Sequence, residues 1–505
     1  MTVRRPIDHL YRGAERAPNA IAIAGPGEPV SYGGLIASVE ALAAALQSVD
    51  PVPGSRVGIC ARNTVEHLLA LLATYAAGKV WVPLAPTNAR ADLDRMIAAT
   101  HPTLIVADES VIDRFTPIDA PVILAKADGG TPGAASVRQL ITDWLGRRPA
   151  AVRRADGDAQ IIKFSGGSTG APKPVVQSVR CLNAQVDGIL DAFALDAGDV
   201  NLIAAPLTHG ASCFVLPILK MGGTHALVED PKPPRVLDAI ESYRVTTMYA
   251  PPTLLYGMMS DPGAEGRTYT TLRHVIYSAA PMRAQQIREA QRVFGPVIET
   301  AYGQVEAPQI VTAMRASELA RDENLASVGR PSSVAEVAIM SPSGELLPNG
   351  ETGEIVVRGP LVMNGYLDRP DMTAEVIIDG WLHTGDLGAI DDRGYVFIRG
   401  RLREVINSGG FKIFPGDVET ALGHHPAVAE CCVFGVEDAK WGEMVQAAVR
   451  LTPGVVVNAA DLIAFVKAEI GSVKTPKVVH VVAELPRNAA GKVSRSAVRA
   501  LVSSA

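Results

Sequence analysis

A two-domain α/β fold is predicted by three observations. Apolar runs of helical period alternate with short β-branched runs over most of the chain. After about residue 340 the pattern gives way to short strands divided by turns, and from Pro415 a fresh helix–strand alternation begins. The length of 505 residues agrees, since it exceeds what one hydrophobic core usually organises.

The elements follow in order. Residues 35–46 carry an amphipathic helical pattern, 57–60 read as a strand, 66–77 as a helix stopped by Gly78, and 80–82 as the next strand. Strands alternating with helices imply crossover connections and mainly parallel sheets. Residues 128–136 are loop by composition. Strands are expected at 354–358 and 395–398, with turns at Pro348-Asn349-Gly350 and Asp391-Asp392-Arg393-Gly394 between them. Helix 416–422, strands 430–435 and 445–451, helix 460–469 and strand 478–482 then make a small α+β domain. The boundary is placed so that residues 1–402 form the first domain and 403–505 the second.

Composition removes several classes of function. The net charge of −6, from 47 basic and 53 acidic residues without a basic run, argues against nucleic acid as a partner. The five cysteines (Cys60, Cys181, Cys213, Cys431 and Cys432) are odd in number and match no zinc or disulfide spacing, so they read as buried free thiols. Residues 1–10 lack the apolar core of a secretory signal. The longest apolar stretch, 68–77, is shorter than the about 20 residues a membrane span takes. A cytoplasmic protein without a membrane span, monomeric or homodimeric, is the expectation.

The most informative segment is IIKFSGGSTGAPKPVV, residues 161–176. An apolar strand runs into Ser165, Gly166, Gly167, Ser168, Thr169 and Gly170, with Lys173 three residues on. Glycines let successive backbone N–H groups face one concavity, hydroxyls add donors and Lys173 adds charge, which suits a polyphosphate. A Gly/Ser-rich hairpin with no ligand is the plain alternative. The segment is not a Walker A loop, which needs GxxxxGK[ST] and a following helix. It does fit GxSxG, the nucleophile elbow of serine hydrolases, with Ser168 as nucleophile. Pro172 and Pro174 oppose the helix that an elbow requires.

The loop resembles the phosphate loop of the adenylate-forming superfamily: acyl- and aryl-CoA synthetases, peptide-synthetase adenylation domains and luciferases. Further motifs follow in the family's order over about residues 30 to 497. The resemblance implies a large N-terminal AMP-binding domain, with parallel-rich sheets flanked by helices plus a distorted β-barrel, and a small mobile α+β C-terminal lid. His209 in AAPLTHG matches the residue beside the acid carboxylate. Ser278, Ala279, Ala280 and Pro281 match the turn that flanks adenine. Ala301, Tyr302, Gly303 and Gln304 lead to Glu306, and the resemblance makes the tyrosine an adenine platform and the glutamate a Mg²⁺ ligand. Val305 departs from the pattern, standing where threonine is usual, so one hydroxyl contact is missing. Asp386 matches the ribose-binding aspartate, Arg401 the ribose- and phosphate-contacting arginine, and Arg403 the hinge. Gly409 and Gly410 match the glycine loop of the second half-reaction, and Lys492 the catalytic lysine.

The resemblance thus implies an ATP-dependent ligase that joins a carboxylic acid to a thiol through an acyl-adenylate. ATP, Mg²⁺ and coenzyme A are the expected cofactors and co-substrates, and the acid is aromatic or aliphatic. The loop SGGFKIFP at 408–415 resembles CoA-ligase versions, and the 505 residues contain no fused carrier domain. The nearest rival is an adenylating enzyme that loads a carrier-protein phosphopantetheine. Gly166-Gly167 resembles stand-alone aryl-acid enzymes of that kind, although Gly210 replaces the asparagine that accompanies a 2-hydroxybenzoate substrate. A non-catalytic nucleotide binder, motivated by Val305, and a hydrolase at Ser168 complete the alternatives.

Overall fold

The computed structural model describes residues 5–25, 27–115, 120–126, 135–165, 172–487 and 493–503. The chain packs as two compact units, the first of residues 1–281, 286–337 and 357–382, the second of residues 282–285, 338–356 and 383–505.

The first unit holds two sheets. One has nine strands in the order Arg330–Pro331, Thr312–Met314, Ile298–Tyr302, His274–Tyr277, Thr247–Tyr249, Val200–Ile203, Thr224–Leu227, Ile21–Ala24, Val30–Ser31. From Ile298–Tyr302 through Ile21–Ala24 every pairing is parallel. The other sheet runs Gly365–Tyr366, Lys173–Ser178, Ala159–Ser165, Val80–Pro83, Arg56–Cys60, Leu104–Ala107, Val122–Leu124. Its last five strands are parallel, and Lys173–Ser178 returns antiparallel to Ala159–Ser165. Strands covered on both faces read as continuous apolar runs, and all of Val80–Pro83 is buried.

The helices expected at 35–46 and 66–77 are Tyr32–Val49 and Val65–Ala76. Each starts on a hydroxyl cap: Ser31 accepts from Gly34 N and Thr64 from His67 N. Tyr32–Val49 is 18 residues long and, by length and composition, apolar enough to cross a membrane. Half of it is buried within the unit, where Leu35, Val39, Leu42 and Leu46 pack toward Val65–Ala76 and Val137–Trp144. Its apolar face is therefore occupied by the protein's own core. Of the loop expected at 128–136, residues 128–134 lie outside the described residues, and Ser136 caps Val137–Trp144.

The strands expected at 354–358 and 395–398 are Gly353–Arg358 and Val396–Arg401. A third sheet has five strands. Its order is Glu336–Met340, Gly353–Arg358, Trp381–Ile390, Ile377–Ile378, with Val396–Arg401 also paired to Trp381–Ile390. Beyond it, Phe411–Ile413, Ile406–Ser408, Gly442–Leu451 and Val428–Asp438 form an antiparallel sheet, and Val478–Val481 joins Gly442–Leu451 in parallel. Helices Pro415–Gly423 and Ala459–Lys474 close a core of Val418, Leu422, Val433, Val449, Leu462 and Val466. Arg495 ties three segments of this unit together, donating to Glu404 at 3.1 Å, to Glu419 at 2.8 Å and to Val433 O at 2.9 Å.

The five cysteines are free thiols; burial pushes those of Cys60, Cys181, Cys431 and Cys432 up to about 12, so they behave as apolar side chains.

His225 is fully buried, with Nε2 3.1 Å from Val215 O and Nδ1 3.1 Å from Asn201 Nδ2. Burial lowers its pKa to about 4, and that of His9 likewise. The folded pKa lies below the unfolded value of about 6.5, so the unfolded chain alone takes up protons between pH 6.5 and 4. Unfolding free energy should therefore fall on acidification through that window, approaching about 1.4 kcal/mol per pH unit for each ring. Urea titrations at stepped pH would show it, and His225→Gln should make the acid limb shallower. An unchanged limb in that variant would contradict the assignment.

Candidate active site

Open parallel sheets bind ligands beyond the carboxyl ends of their strands, where each chain leaves the ladder for a loop. The candidate residues of the first unit occupy that edge. Val200–Ile203 leads into the His209 segment and Thr247–Tyr249 ends on Tyr249. His274–Tyr277 leads into Ser278–Pro281, and Ile298–Tyr302 into Gly303–Glu306. These four strands are consecutive neighbours in the nine-stranded sheet. Ser165 ends a strand of the other sheet.

Ser165 pairs directly with Lys173, so residues 166–172 connect two antiparallel strands. Gly166, Gly167, Ser168, Thr169 and Gly170 lie outside the described residues. The return of the chain as strand Lys173–Ser178 gives no place to the helix of a nucleophile elbow, which removes the hydrolase reading of Ser168. Lys173 Nζ sits 5.4 Å from the centre of the Tyr366 ring, and the Tyr366 hydroxyl donates to Glu306 Oε1 at 3.1 Å. On the same strand, Gln177 Nε2 donates to Val305 O at 2.8 Å. The base of the glycine-rich loop and the glutamate loop are thus fastened to each other at two points.

Glu306 is half-buried and keeps one carboxylate oxygen beyond the Tyr366 bond. Among the described residues no group of three or more His, Cys, Asp or Glu could hold a metal. One carboxylate beside a glycine-rich loop still fits Mg²⁺, which takes most of its oxygens from water and phosphate. Ser278 is buried and Ala279 has φ 77°, a left-handed conformation unusual for alanine. Tyr302 is buried at its strand's end.

The His209 segment is built by long-range ties that leave no mark in the local sequence. Asn63 Nδ2 donates to Ala204 O at 3.2 Å and Ala205 O at 2.9 Å, while its Oδ1 accepts from Leu207 N at 2.9 Å. His209 Nδ1 lies 2.9 Å from Thr208 Oγ1, and its carbonyl accepts from Ser212 Oγ at 2.8 Å. Lys163, inside the strand that leads to Ser165, reaches His209 O at 3.3 Å and Ser212 Oγ at 3.1 Å. Its visible signal was a charge within the apolar run Ile161-Ile162-Lys163-Phe164. Gly210 lets Tyr249 come close: a Cβ there would meet Tyr249 Cζ at 2.5 Å. Tyr249 stacks on Phe214 at 5.7 Å, and burial raises its pKa.

The remaining candidates lie in the second unit. Asp386 and Arg401 are cross-strand partners, with Arg401 Nε 3.0 Å from Asp386 Oδ1 and Asp386 buried. Arg403 stands in the short 3₁₀ turn Leu402–Glu404. Gly409 and Gly410, with φ 59° and 83°, form the two-residue turn between Ile406–Ser408 and Phe411–Ile413. Two successive positive φ values define a type I′ hairpin turn. Gly409 N donates to Trp441 O at 2.7 Å, and a Cβ on Gly409 would lie 2.9 Å from the Trp441 ring. Lys492 lies outside the described residues, in the stretch bracketed by the paired Arg487 and Val493.

Residues 10–367 match the family model described as AMP-binding enzyme, and residues 417–492 match its C-terminal domain. The chain belongs to the AMP-binding enzyme family. It is thereby an adenylate-forming enzyme of the acid–thiol ligase class. A relative in the family, feruloyl-CoA synthase of an Amycolatopsis species, is 33% identical, with 97% of each chain covered. Medium/long-chain-fatty-acid–CoA ligase FadD8 of Mycobacterium tuberculosis is 31% identical over 97% of this chain and 89% of its own. Among solved structures, amide bond synthetase McbA from Marinactinospora thermotolerans superposes with a TM-score of 0.89 at 30% identity, covering 98% and 99%.

Gly210→Ala should push Tyr249 off its stack on Phe214, since the side chain is enclosed. Overpacking of this kind costs about 1–3 kcal/mol. Lower thermal stability and a raised KM for the acid, with KM for ATP little changed, are the expected readouts; a variant unchanged in both would show that Tyr249 yields freely.

Proposed function

We propose that this AMP-binding enzyme is an ATP-dependent acid–CoA ligase acting on an aromatic or aliphatic carboxylic acid. The observation that carries the proposal is the fastening of the glycine-rich loop's base to the glutamate loop, through Lys173, Tyr366 and Glu306. A phosphate cradle and a metal-binding carboxylate held in fixed relation are what adenylation needs.

A carboxylate acylates poorly because its leaving group would be oxide. In the first half-reaction a carboxylate oxygen attacks the α-phosphorus of ATP, the bond from that phosphorus to the α,β-bridging oxygen breaks, and pyrophosphate departs with that oxygen. Negative charge builds on the α-phosphate and the leaving group. The loop from Ser165 to Lys173 supplies donors and charge there, and Lys492 adds an ammonium group. Mg²⁺, held by Glu306, would supply further charge neutralisation. His209 orients the acid, Ser278–Pro281 and Ala301–Gln304 with Tyr302 hold the adenine, and Asp386 with Arg401 holds the ribose. In the second half-reaction the thiol sulfur attacks the acyl carbon and AMP leaves. Residues 403–505 act as the mobile lid, with Arg403 as hinge and Gly409-Gly410 facing the thiol. The names of the two curated relatives favour CoA as acceptor; a carrier-protein phosphopantetheine is the competing outcome.

Pyrophosphate release over a panel of aryl and fatty acids, with and without CoA, tests the reading directly. Lys492→Ala should lower pyrophosphate release at least about hundredfold while leaving thiolation of a supplied acyl-adenylate largely intact. Normal pyrophosphate release in that variant would remove the role given to Lys492. Arg403→Pro should spare adenylation and block thioester formation; equal loss of both steps would count against the hinge.

A further inference from the structure

Lys163 projects from strand Ala159–Ser165 toward the turn that carries His209. Its ammonium has three N–H bonds. One is directed to His209 O and one to Ser212 Oγ, both neutral acceptors. The face of Trp81 lies 5.5 Å from Nζ. Among the described residues no carboxylate comes within ion-pairing distance of it. Trp81 is fully buried, and its indole N–H has no acceptor among the described residues. The Lys163 ammonium therefore keeps one N–H beyond its two neutral acceptors.

Lys79, another interior lysine of the same unit, shows how an ammonium is accommodated for structure alone. It is 1% exposed and has Asp50 at 3.4 Å, besides Asp50 O at 2.7 Å and Ser55 Oγ at 2.6 Å. A partly desolvated cation without such compensation is costly. Holding the His209 turn needs only a neutral donor. The charge at Lys163 exceeds that need.

We propose that Lys163 is a specificity-determining residue, receiving a second hydrogen-bond acceptor of the substrate acid distal from the carboxyl group that is activated. The acceptor is a carboxylate, carbonyl or phenol oxygen on the acyl chain or ring. The inference rests on the acid-activating reading above, and it narrows the substrate from any aromatic or aliphatic acid to one bearing such a group.

The test uses matched acids: hydrocinnamic acid against its para-hydroxy and para-carboxy analogues, and octanoic against suberic acid. Both kcat/KM for pyrophosphate release and calorimetric Kd are measured on the full chain. The acceptor-bearing member of at least one pair should be preferred by about tenfold to hundredfold, the range for a hydrogen bond to a charged group. Lys163→Met should collapse that ratio, and Lys163→Arg should restore part of it. No preference in any pair for the wild-type protein overturns the proposal, with no variant needed. So does a Lys163→Met variant that weakens both members of a pair by the same factor, the mark of a residue that only props the turn. Failure of the ligase reading would appear differently, as no pyrophosphate from any acid, while the calorimetric ratio still decides the role of Lys163.

Discussion

A parallel strand can be joined to its neighbour only by a crossover that returns the chain to the same starting edge. Every strand therefore departs from the ladder at the opposite edge, and its loop leaves there with backbone groups not spent on pairing. In this protein two parallel sheets expose such edges, and the chemistry-bearing segments of the first unit are drawn from them. Topology, more than any single contact, decides that segments more than a hundred residues apart in sequence share a wall.

Topology alone does not fix those loops, because loops cut loose from a ladder would be mobile. A small number of buried polar side chains does this work. Asn63 satisfies two carbonyls and one N–H of the 204–207 segment, and Gln177 takes the carbonyl of Val305. A buried carbonyl left without a donor costs about 1–3 kcal/mol, so each tie also penalises any other arrangement of its loop. Ala279, held at φ 77°, indicates that the surrounding structure overrides a local backbone preference here.

The fold was legible where side-chain period and local punctuation agree. The helix expected at 66–77 begins on Thr64 and stops before Gly78, and the strands at 57–60 and 80–82 fall within one residue of their observed ends. The elements expected from Pro415 onward read well for the same reason. The family was legible because its motifs combine residue types that structure alone rarely demands, such as SGGSTGAPKP. What could not be read were ties made across the fold. Asn63 looks like a loop residue until Ala204 is brought beside it, and Tyr366 carries no local sign that it faces both Lys173 and Glu306. Lys163 is a charge inside an apolar run, but its partners lie 46 and 49 residues away. Spacing rules reach about one helical turn or one hairpin, and these pairs lie beyond that horizon.

The guanidinium of Arg495 has one further effect on the motion assigned to Arg403. It clamps Glu404, the residue after that position, onto Glu419 and the strand carrying Val433, so Glu404 is part of the rigid body that follows it. If Arg403 is the hinge proposed above, the backbone torsions left to turn are those between Arg401, paired to Asp386, and Glu404.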